Sequence, residues 1–245
     1  MKRIKTSFGK KKVYQNQKTR MVQNIFTNIS KKYNLMNDLM SFGTHHLWKK
    51  RLVEIMNIQR YDKIIEIGSG TGDIENIIQN NYYDTIITSV DLNLNMLQEN
   101  LKNKKIYKKN TNLINCNAEH LPFKNDLFDK YVISFCLRNV TFVDKTLSEA
   151  FRVLKPGGIF YCLEFSTPHS SLLNNIYLYY KAKIIPKIGN FVTNNKTAYE
   201  YLEESISQFP HQEVLLNKLN SIGFVNTSII SLFNGIVSIH VGYKI

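Results

Sequence analysis

From residue 58 onward the chain alternates short apolar runs with amphipathic stretches. Lys63–Ile67, Ile86–Asp91, Asn112–Cys116, Lys130–Phe135, Ile159–Phe165, Phe224–Ser231 and Gly235–Tyr243 have the length and β-branched content of strands. Helical stretches such as Asn93–Leu101 and Lys145–Val153 fall between them, which predicts a parallel sheet with helices on both faces. The last two runs are joined only by Phe233-Asn234-Gly235, too short for a crossover, so they must pair antiparallel. The expected fold is α/β and Rossmann-like: seven strands, mostly parallel, ending in an antiparallel edge strand. Upstream, Val22, Ile25, Phe26 and Ile29, then Leu47, Trp48, Leu52, Ile55 and Met56, recur at helical spacing. Residues 1–57 therefore read as a basic arm and helices that cap the site, and 58–245 as the main domain. Within it, about 167–210 form an insertion rich in Tyr177, Tyr179, Tyr180, Ile184, Ile185 and Pro186. Its position after the fifth strand suggests a lid over the ligand-binding strand ends, with plain packing as the alternative.

Charge changes this picture in one place. Of 32 Lys and Arg, thirteen lie in residues 1–51 beside a single acid, Asp38, which accounts for nearly all of the net +13. Such a segment suits an anionic membrane surface or a phosphate backbone, or is simply a solvated face in a Lys-rich chain. No run of eighteen apolar residues is present, and the basic N-terminus lacks the apolar core of a signal peptide. Cys116, Cys136 and Cys162 are scattered over apolar segments and read as reduced core thiols.

The candidate chemistry starts at Ile64-Ile65-Glu66-Ile67-Gly68-Ser69-Gly70-Thr71-Gly72-Asp73. Glycines at alternate positions let the backbone turn sharply against a ligand, and Asp91, ending the next strand, can accept both ribose hydroxyls. A dinucleotide site would read G-x-G-x-x-G and hold a pyrophosphate, whereas here Asp73 stands where an anion would sit. A cofactor bearing a sulfonium and an ammonium, S-adenosylmethionine, suits the turn better. After the third strand, Asn117 and Ala118 could read the adenine edge with an amide and a backbone N–H, although Asn117 also suits a turn. Ser134, Arg138 and Asn139 close the fourth strand where the methyl group would be transferred, and a strand-end Arg can equally be an ion-pair partner. His45 and His46 are adjacent, so on a helix their side chains diverge by about 100° and cannot share a metal as an i, i+4 pair could. No metal site is expected, and no G-x-S-x-G elbow supports a hydrolase.

These residues resemble the UbiE family of ubiquinone/menaquinone biosynthesis C-methyltransferases over nearly the whole chain. The narrow signals are Tyr33-Asn34-Leu35-Met36-Asn37-Asp38-Leu39-Met40-Ser41-Phe42-Gly43, His45-His46-Leu47-Trp48-Lys49, Leu137-Arg138-Asn139-Val140 and Leu163-Glu164-Phe165-Ser166. The resemblance implies a class I methyltransferase fold in which Gly68, Thr71, Asp91, Asn117, Ala118 and Ser134 contact S-adenosylmethionine. It implies a polyprenyl quinol acceptor, hence a membrane-resident substrate, and it makes nucleic acid an unfavoured partner. Contact with other quinone-biosynthesis enzymes and homo-oligomerisation are compatible with it. Three positions depart from the family pattern: Asn34 stands in place of Asp, His46 in place of a basic residue, and Ile67-Gly68-Ser69 opens the turn in place of Ala-Gly-Gly. Because the resemblance begins near Ser7, a bacterial cytoplasmic enzyme, peripheral on the inner face of the membrane, is the expected setting.

Carbon methylation of a quinol needs an electron-rich ring, so a phenol proton with a pKa of about 10 must be lost or shared in the reaction. Arg138 cannot be the base but could stabilise phenolate, with Asn139 orienting the ring. His45, His46, Glu164 and Tyr201 are the base candidates. An RNA methyltransferase would use the same cofactor site, but the fourth strand lacks the Asn/Asp-Pro-Pro-Tyr/Phe motif of amino-methylating nucleic-acid enzymes. A non-catalytic cofactor-binding subunit is the other alternative.

Overall fold

The computed structural model describes residues 5–9, 11–103, 111–168 and 196–245. Strands β3 (Lys63–Ile67), β4 (Ile86–Asp91), β5 (Thr111–Asn115), β6 (Phe128–Ser134), β7 (Leu154–Phe165), β8 (Val225–Leu232) and β9 (Val237–Tyr243) form one sheet. Its order is β5-β4-β3-β6-β7-β9-β8. The five strands from β5 to β7 pair parallel, and β9 runs antiparallel to both β7 and β8. The last strand is therefore antiparallel as expected, but it is not at the edge. It inserts between β7 and β8, leaving β8, which alternates exposed and half-buried residues, to face solvent. A strand with neighbours on both sides lies inside the sheet, and Val237 to Gly242 are all buried, Ser238 and His240 among them.

Period-two alternation fixes which residues face which layer. Ile65 and Ile67 pack with Tyr131, Ile133 and Phe160 against α6 (Val143–Val153) and a C-terminal helix, Gln212–Ile222. Ile64 packs with Val132, Tyr161 and Leu163 against α3 (Thr44–Ile55) and α4 (Asp73–Asn81). Lys155-Pro156-Gly157-Gly158 lies inside β7. Gly157 at φ +83° accommodates the register shift between β6 and β7.

The N-terminal fifth is folded. A hairpin of β1 (Lys5–Phe8) and β2 (Lys11–Tyr14) leads into α1 (Gln15–Ile29) and α2 (Tyr33–Ser41). Phe8, Val22, Ile25, Ile29 and Met36 form a separate core with Ala198, Tyr199 and Tyr201 of the helix Lys196–Gln208. Phe8 stacks on Tyr201 with ring centroids 4.6 Å apart. Among the described residues, two of these cations are internal: Lys18 donates to the Val140 carbonyl at 2.7 Å, and Lys49 pairs with Asp73. Tyr177, Tyr179, Tyr180, Ile184, Ile185 and Pro186, read as a lid, lie outside the described residues.

A cluster of acids sits beneath the glycine turn. Ser89 Oγ lies 3.3 Å from Glu66 Oε2 and donates to Glu75 Oε2 at 2.9 Å, and Asn100 Nδ2 donates to Glu75 Oε2 at 3.1 Å. Burial, with the nearby Glu75 and Asp73 carboxylates, pushes the Glu66 carboxyl well above its ordinary range. A raised carboxyl pKa favours folding where the folded state holds the extra proton, and that contribution is lost as pH climbs from the unfolded value of about 4.5 through the folded one. Glu66→Gln should therefore melt higher than the parent at pH 7.5, by about 2–4 °C per kcal/mol gained, and equal to it below pH 4. Thermal melts across that range check the sign.

Candidate active site

The glycine turn crosses from β3 to α4 with Gly68, Gly70 and Gly72 at φ +65°, +55° and +87°. A Cβ on Gly68 would collide with Cys136 Sγ, and one on Gly72 with the Asn100 amide, so close packing as well as conformation demands glycine at both. The turn opens at the point where strand order reverses, the usual crevice of a doubly wound sheet. There a cavity is lined by Gly68, Gly70, Asp91, Asn117, Ala118, Ser134 and Asn139, and closed over by Thr19, Val22, Gln23 and Phe26 of α1.

Five of the six residues expected to hold the cofactor meet on one wall, together with Gly70. Asp91 accepts from Gly70 N at 2.9 Å and from Asn93 N at 2.8 Å. Burial pushes its carboxyl up to about 6, against the opposing pull of those two N–H groups. Asn117 spends its side-chain oxygen on the Glu119 N–H at 2.9 Å, an Asx turn that presents Ala118 to the cavity. Ser134 Oγ is buried and has no partner among the described residues. That orphaned hydroxyl, the two acceptor oxygens of Asp91 and a cradle that excludes Cβ atoms fit a nucleoside with a ribose diol.

The sixth does not join them. Thr71 is buried away from the cavity and donates to Asn34 Oδ1 at 2.6 Å, pinning α2 to the turn. Asp73 is also turned away. It opens α4 and pairs with Lys49, which outweighs burial and holds its carboxyl below the ordinary range. The argument that Asp73 repels a pyrophosphate across the turn therefore fails, because its charge is neutralised outside the cavity.

A second, apolar cavity of about 310 Å³ abuts the first, sharing Tyr33 and Phe135 as the wall between them. Met40, Phe42, Trp48, Phe165, Leu202 and Ile206 line it, with His45 and Arg138. Arg138 and Asn139, consecutive in a short 3-10 turn after β6, thus face different compartments. Arg138 Nη1 contacts Glu164 Oε2 at 2.9 Å and Oε1 at 3.1 Å and donates to the Phe135 carbonyl at 2.6 Å. Burial disfavours the guanidinium charge, but Glu164 outweighs it and raises the pKa, so Arg138 stays a cation. Its Nε remains buried without a partner among the described residues, as do Trp48 Nε1 and His45 Nδ1.

The base candidates separate cleanly. Glu164 is held by Arg138 and lines neither cavity. Tyr201 donates to Asn139 Oδ1 at 3.1 Å, and burial pushes its phenol upward. His46 lies outside the cavity, whereas His45 lines it. The two imidazoles do not diverge as their adjacency suggests. His45 Nε2 and His46 Nε2 converge on Asp38 Oδ1 at 2.9 and 2.7 Å, with ring centroids 3.9 Å apart and the three atoms within 4.8 Å of one another. Asp38, one turn back across the Phe42-Gly43 corner, is what draws them together. A pairwise angle on an ideal helix could not have found it.

Comparison with known proteins places this geometry. Residues 11–244 match the model of the ubiE/COQ5 methyltransferase family. The ubiquinone/menaquinone biosynthesis C-methyltransferase UbiE of Rickettsia bellii (strain OSU 85-389) is 42% identical over 98% of this chain and 99% of its own. That of Haemophilus ducreyi is 40% identical over 98% and 93%. Among solved structures, a SAM-dependent methyltransferase from Thermotoga maritima superposes with a TM-score of 0.66 at 17% identity, covering 91% of this chain and all of that one. The [4+2]-cyclase SpnF does so with a TM-score of 0.65 at 12% identity, over 92% and 96%, so the likeness at this distance is one of fold alone. A match along almost the entire length makes this chain a member of the ubiE/COQ5 methyltransferase family.

Proposed function

We propose that this chain methylates a ring carbon of a polyprenylated benzoquinol or naphthoquinol. The observation that carries the reading is the makeup of the second cavity. Its walls are largely apolar, yet three residues lining it hold buried polar atoms without a partner among the described residues: two N–H donors, on Arg138 and Trp48, and one imidazole nitrogen, on His45. A quinol is an apolar ring with two hydroxyls, each both donor and acceptor, and answers that set. At about 310 Å³ the cavity falls within the range of small-molecule sites, about 300–1,000 Å³.

When bound, S-adenosylmethionine supplies an electrophilic methyl group. The chain's residues then have three tasks. Asp91 accepts the ribose hydroxyls, and Asn117, Ala118 and Ser134 complete the nucleoside wall. Arg138 offers its Nε–H to the developing phenolate oxygen in a largely apolar cavity, where such a donor is worth most. Asn139, fixed between Tyr201 and the Phe135 carbonyl, holds the seam between the cavities and so the line of transfer. The UbiE relatives, by their names, act in both ubiquinone and menaquinone biosynthesis, which supports either headgroup.

A membrane-resident acceptor requires a membrane-facing entrance. α2 presents Tyr33, Asn37 and Met40 to the cavity, while Leu35 and Leu39 on its far side are 51% and 37% exposed. Phe42, at the helix end and on the cavity rim, is 77% exposed, and Leu47 is 57% exposed on α3. Exposed Lys31 sits one turn before Leu35, and exposed Arg51 one turn after Leu47. An apolar ridge flanked by cations at a cavity mouth suits the headgroup boundary of an anionic bilayer, with each cation worth about 1 kcal/mol near such a surface. Among the described residues no helix is long and apolar enough to cross a membrane.

Single-turnover methyl transfer under anaerobic conditions should proceed with quinol and fail with the oxidised quinone. Equal rates would exclude the mechanism, and labelled RNA in the same assay would reveal the nucleic-acid alternative. Arg138→Ala should cost about 10²–10³ in rate with little loss of cofactor affinity. Because Asp91 must be ionised to accept the ribose hydroxyls, cofactor affinity should weaken as pH falls through about 6, and Asp91→Asn should bind about tenfold or more weakly with that dependence gone. Paired Leu39→Ser and Phe42→Ser should release the protein from vesicles containing anionic lipid. Unchanged co-sedimentation, or sedimentation velocity showing a dimer across this ridge, would refute the membrane assignment.

A further inference from the structure

We propose that His45 is the catalytic proton acceptor for the quinol hydroxyl, with Asp38 as the positioning residue that fixes its tautomer and stabilises the imidazolium. The inference rests on the quinol reading above and concerns the one role that reading leaves unfilled.

Position singles out His45. It is 4% exposed and is the only one of the four base candidates that lines the apolar cavity, on the same wall as Arg138. A buried imidazole that donates Nε2–H to Asp38 Oδ1 must carry its lone pair on Nδ1, and that atom has no partner among the described residues. An unpaired acceptor buried beside an apolar cavity costs free energy unless something comes to donate to it. The quinol hydroxyl is the donor the cavity is shaped to admit. Asp38 plays the part that a carboxylate plays behind any general-base histidine: it orients the ring and stabilises the imidazolium.

The groups facing His45 are Asp38 from α2, His46 and Lys49 from α3, and Asp73 from α4. Burial and Lys49 lower its pKa, against the pull of Asp38 and Asp73, so the ring is neutral near pH 7 and able to accept. The same cation disfavours the imidazolium once formed and speeds its discharge. Asp38 stays a carboxylate throughout: burial is outweighed by the hydrogen bonds from His45 and His46, which hold its carboxyl below the ordinary range.

The step balances. The quinol O–H bond breaks and its proton goes to Nδ1. The electron pair, pushed through the ring, forms the new carbon–carbon bond to the methyl group as the carbon–sulfur bond breaks with its pair to sulfur. The methylated carbon then loses its hydrogen as a proton, the ring oxygen regains one, and aromaticity returns. One proton remains on the imidazole Nδ1, matching the positive charge lost by the sulfonium, and passes to water when the product leaves the cavity.

The test uses the full chain, anaerobic single turnovers, a short-chain quinol and saturating cofactor, so that ionisation of Asp91 does not enter. His45→Gln should lower the methyl-transfer rate constant by about 10²–10⁴ while cofactor affinity stays within about twofold. Its residual rate should climb about tenfold per pH unit toward the phenol pKa of about 10, as the quinol ionises unaided. Asp38→Asn should move the acid limb of the wild-type profile to lower pH, because His45 loses the carboxylate that raises it, and this readout stands even where His45→Gln does not fold. A His45→Gln enzyme with wild-type rate and profile, or an acid limb unmoved in Asp38→Asn, would overturn the proposal. A wild-type protein inactive on quinol would instead count against the substrate reading.

Discussion

The methyl end of this molecule is organised around one buried ion pair. Arg138, at the end of β6, and Glu164, near the end of β7, meet across adjacent strands with side chains 6% and 1% exposed. Two charges taken out of water gain little net stability, but losing either leaves the other uncompensated at a cost of about 3–5 kcal/mol. The pair therefore acts as a fixed joint. With Glu164 and the Phe135 carbonyl both bound to Nη1, the guanidinium has one orientation, and its plane lies near the rings of Phe135 and Phe165. That orientation places Arg138 in the apolar cavity and its neighbour Asn139 in the other. The division of labour between cofactor and acceptor is built into two consecutive residues.

Much of this was legible in the sequence, and the reasons are physical. All seven main strands could be located because short runs rich in β-branched residues stand between turn signals, and the glycine turn because positive φ and close contact leave few residue choices. The position of β9 was harder: a three-residue link dictates antiparallel pairing but not which side of β8 is left open. Val237–Gly242 are buried, yet Ser238 and His240 interrupt the apolar run and hide that the strand is internal. The N-terminal fold was obscured by charge. Lys18 and Lys49 look like members of a solvated run until the Val140 carbonyl and Asp73 are brought to them by contacts distant in sequence.

Site residues followed the same division. Asp91, Ser134 and Ala118 sit where strand ends put them, and a strand end is a local property. Thr71 and Asp73, inside the same motif, point elsewhere because Asn34 and Lys49 claim them, and both partners come from the cap. Asn34 is a departure from the family pattern, and its work here is structural. His46 is another, and it shares a carboxylate with the residue that faces the acceptor. In both cases a local rule was overruled by one tertiary hydrogen bond.

The fastening of α1 has a consequence for traffic through the enzyme. Lys18 to the Val140 carbonyl, Thr19 to Thr141 and Asn93 to the Gln23 carbonyl hold that helix down over the nucleoside wall. The acceptor cavity opens instead beside α2 and Phe42. On the membrane reading proposed above, spent cofactor and methylated product would depart by separate doors, one toward water and gated by three hydrogen bonds, the other along a greasy ridge. A protein arranged that way would exchange its nucleoside many times without giving up its seat at the source of its other substrate.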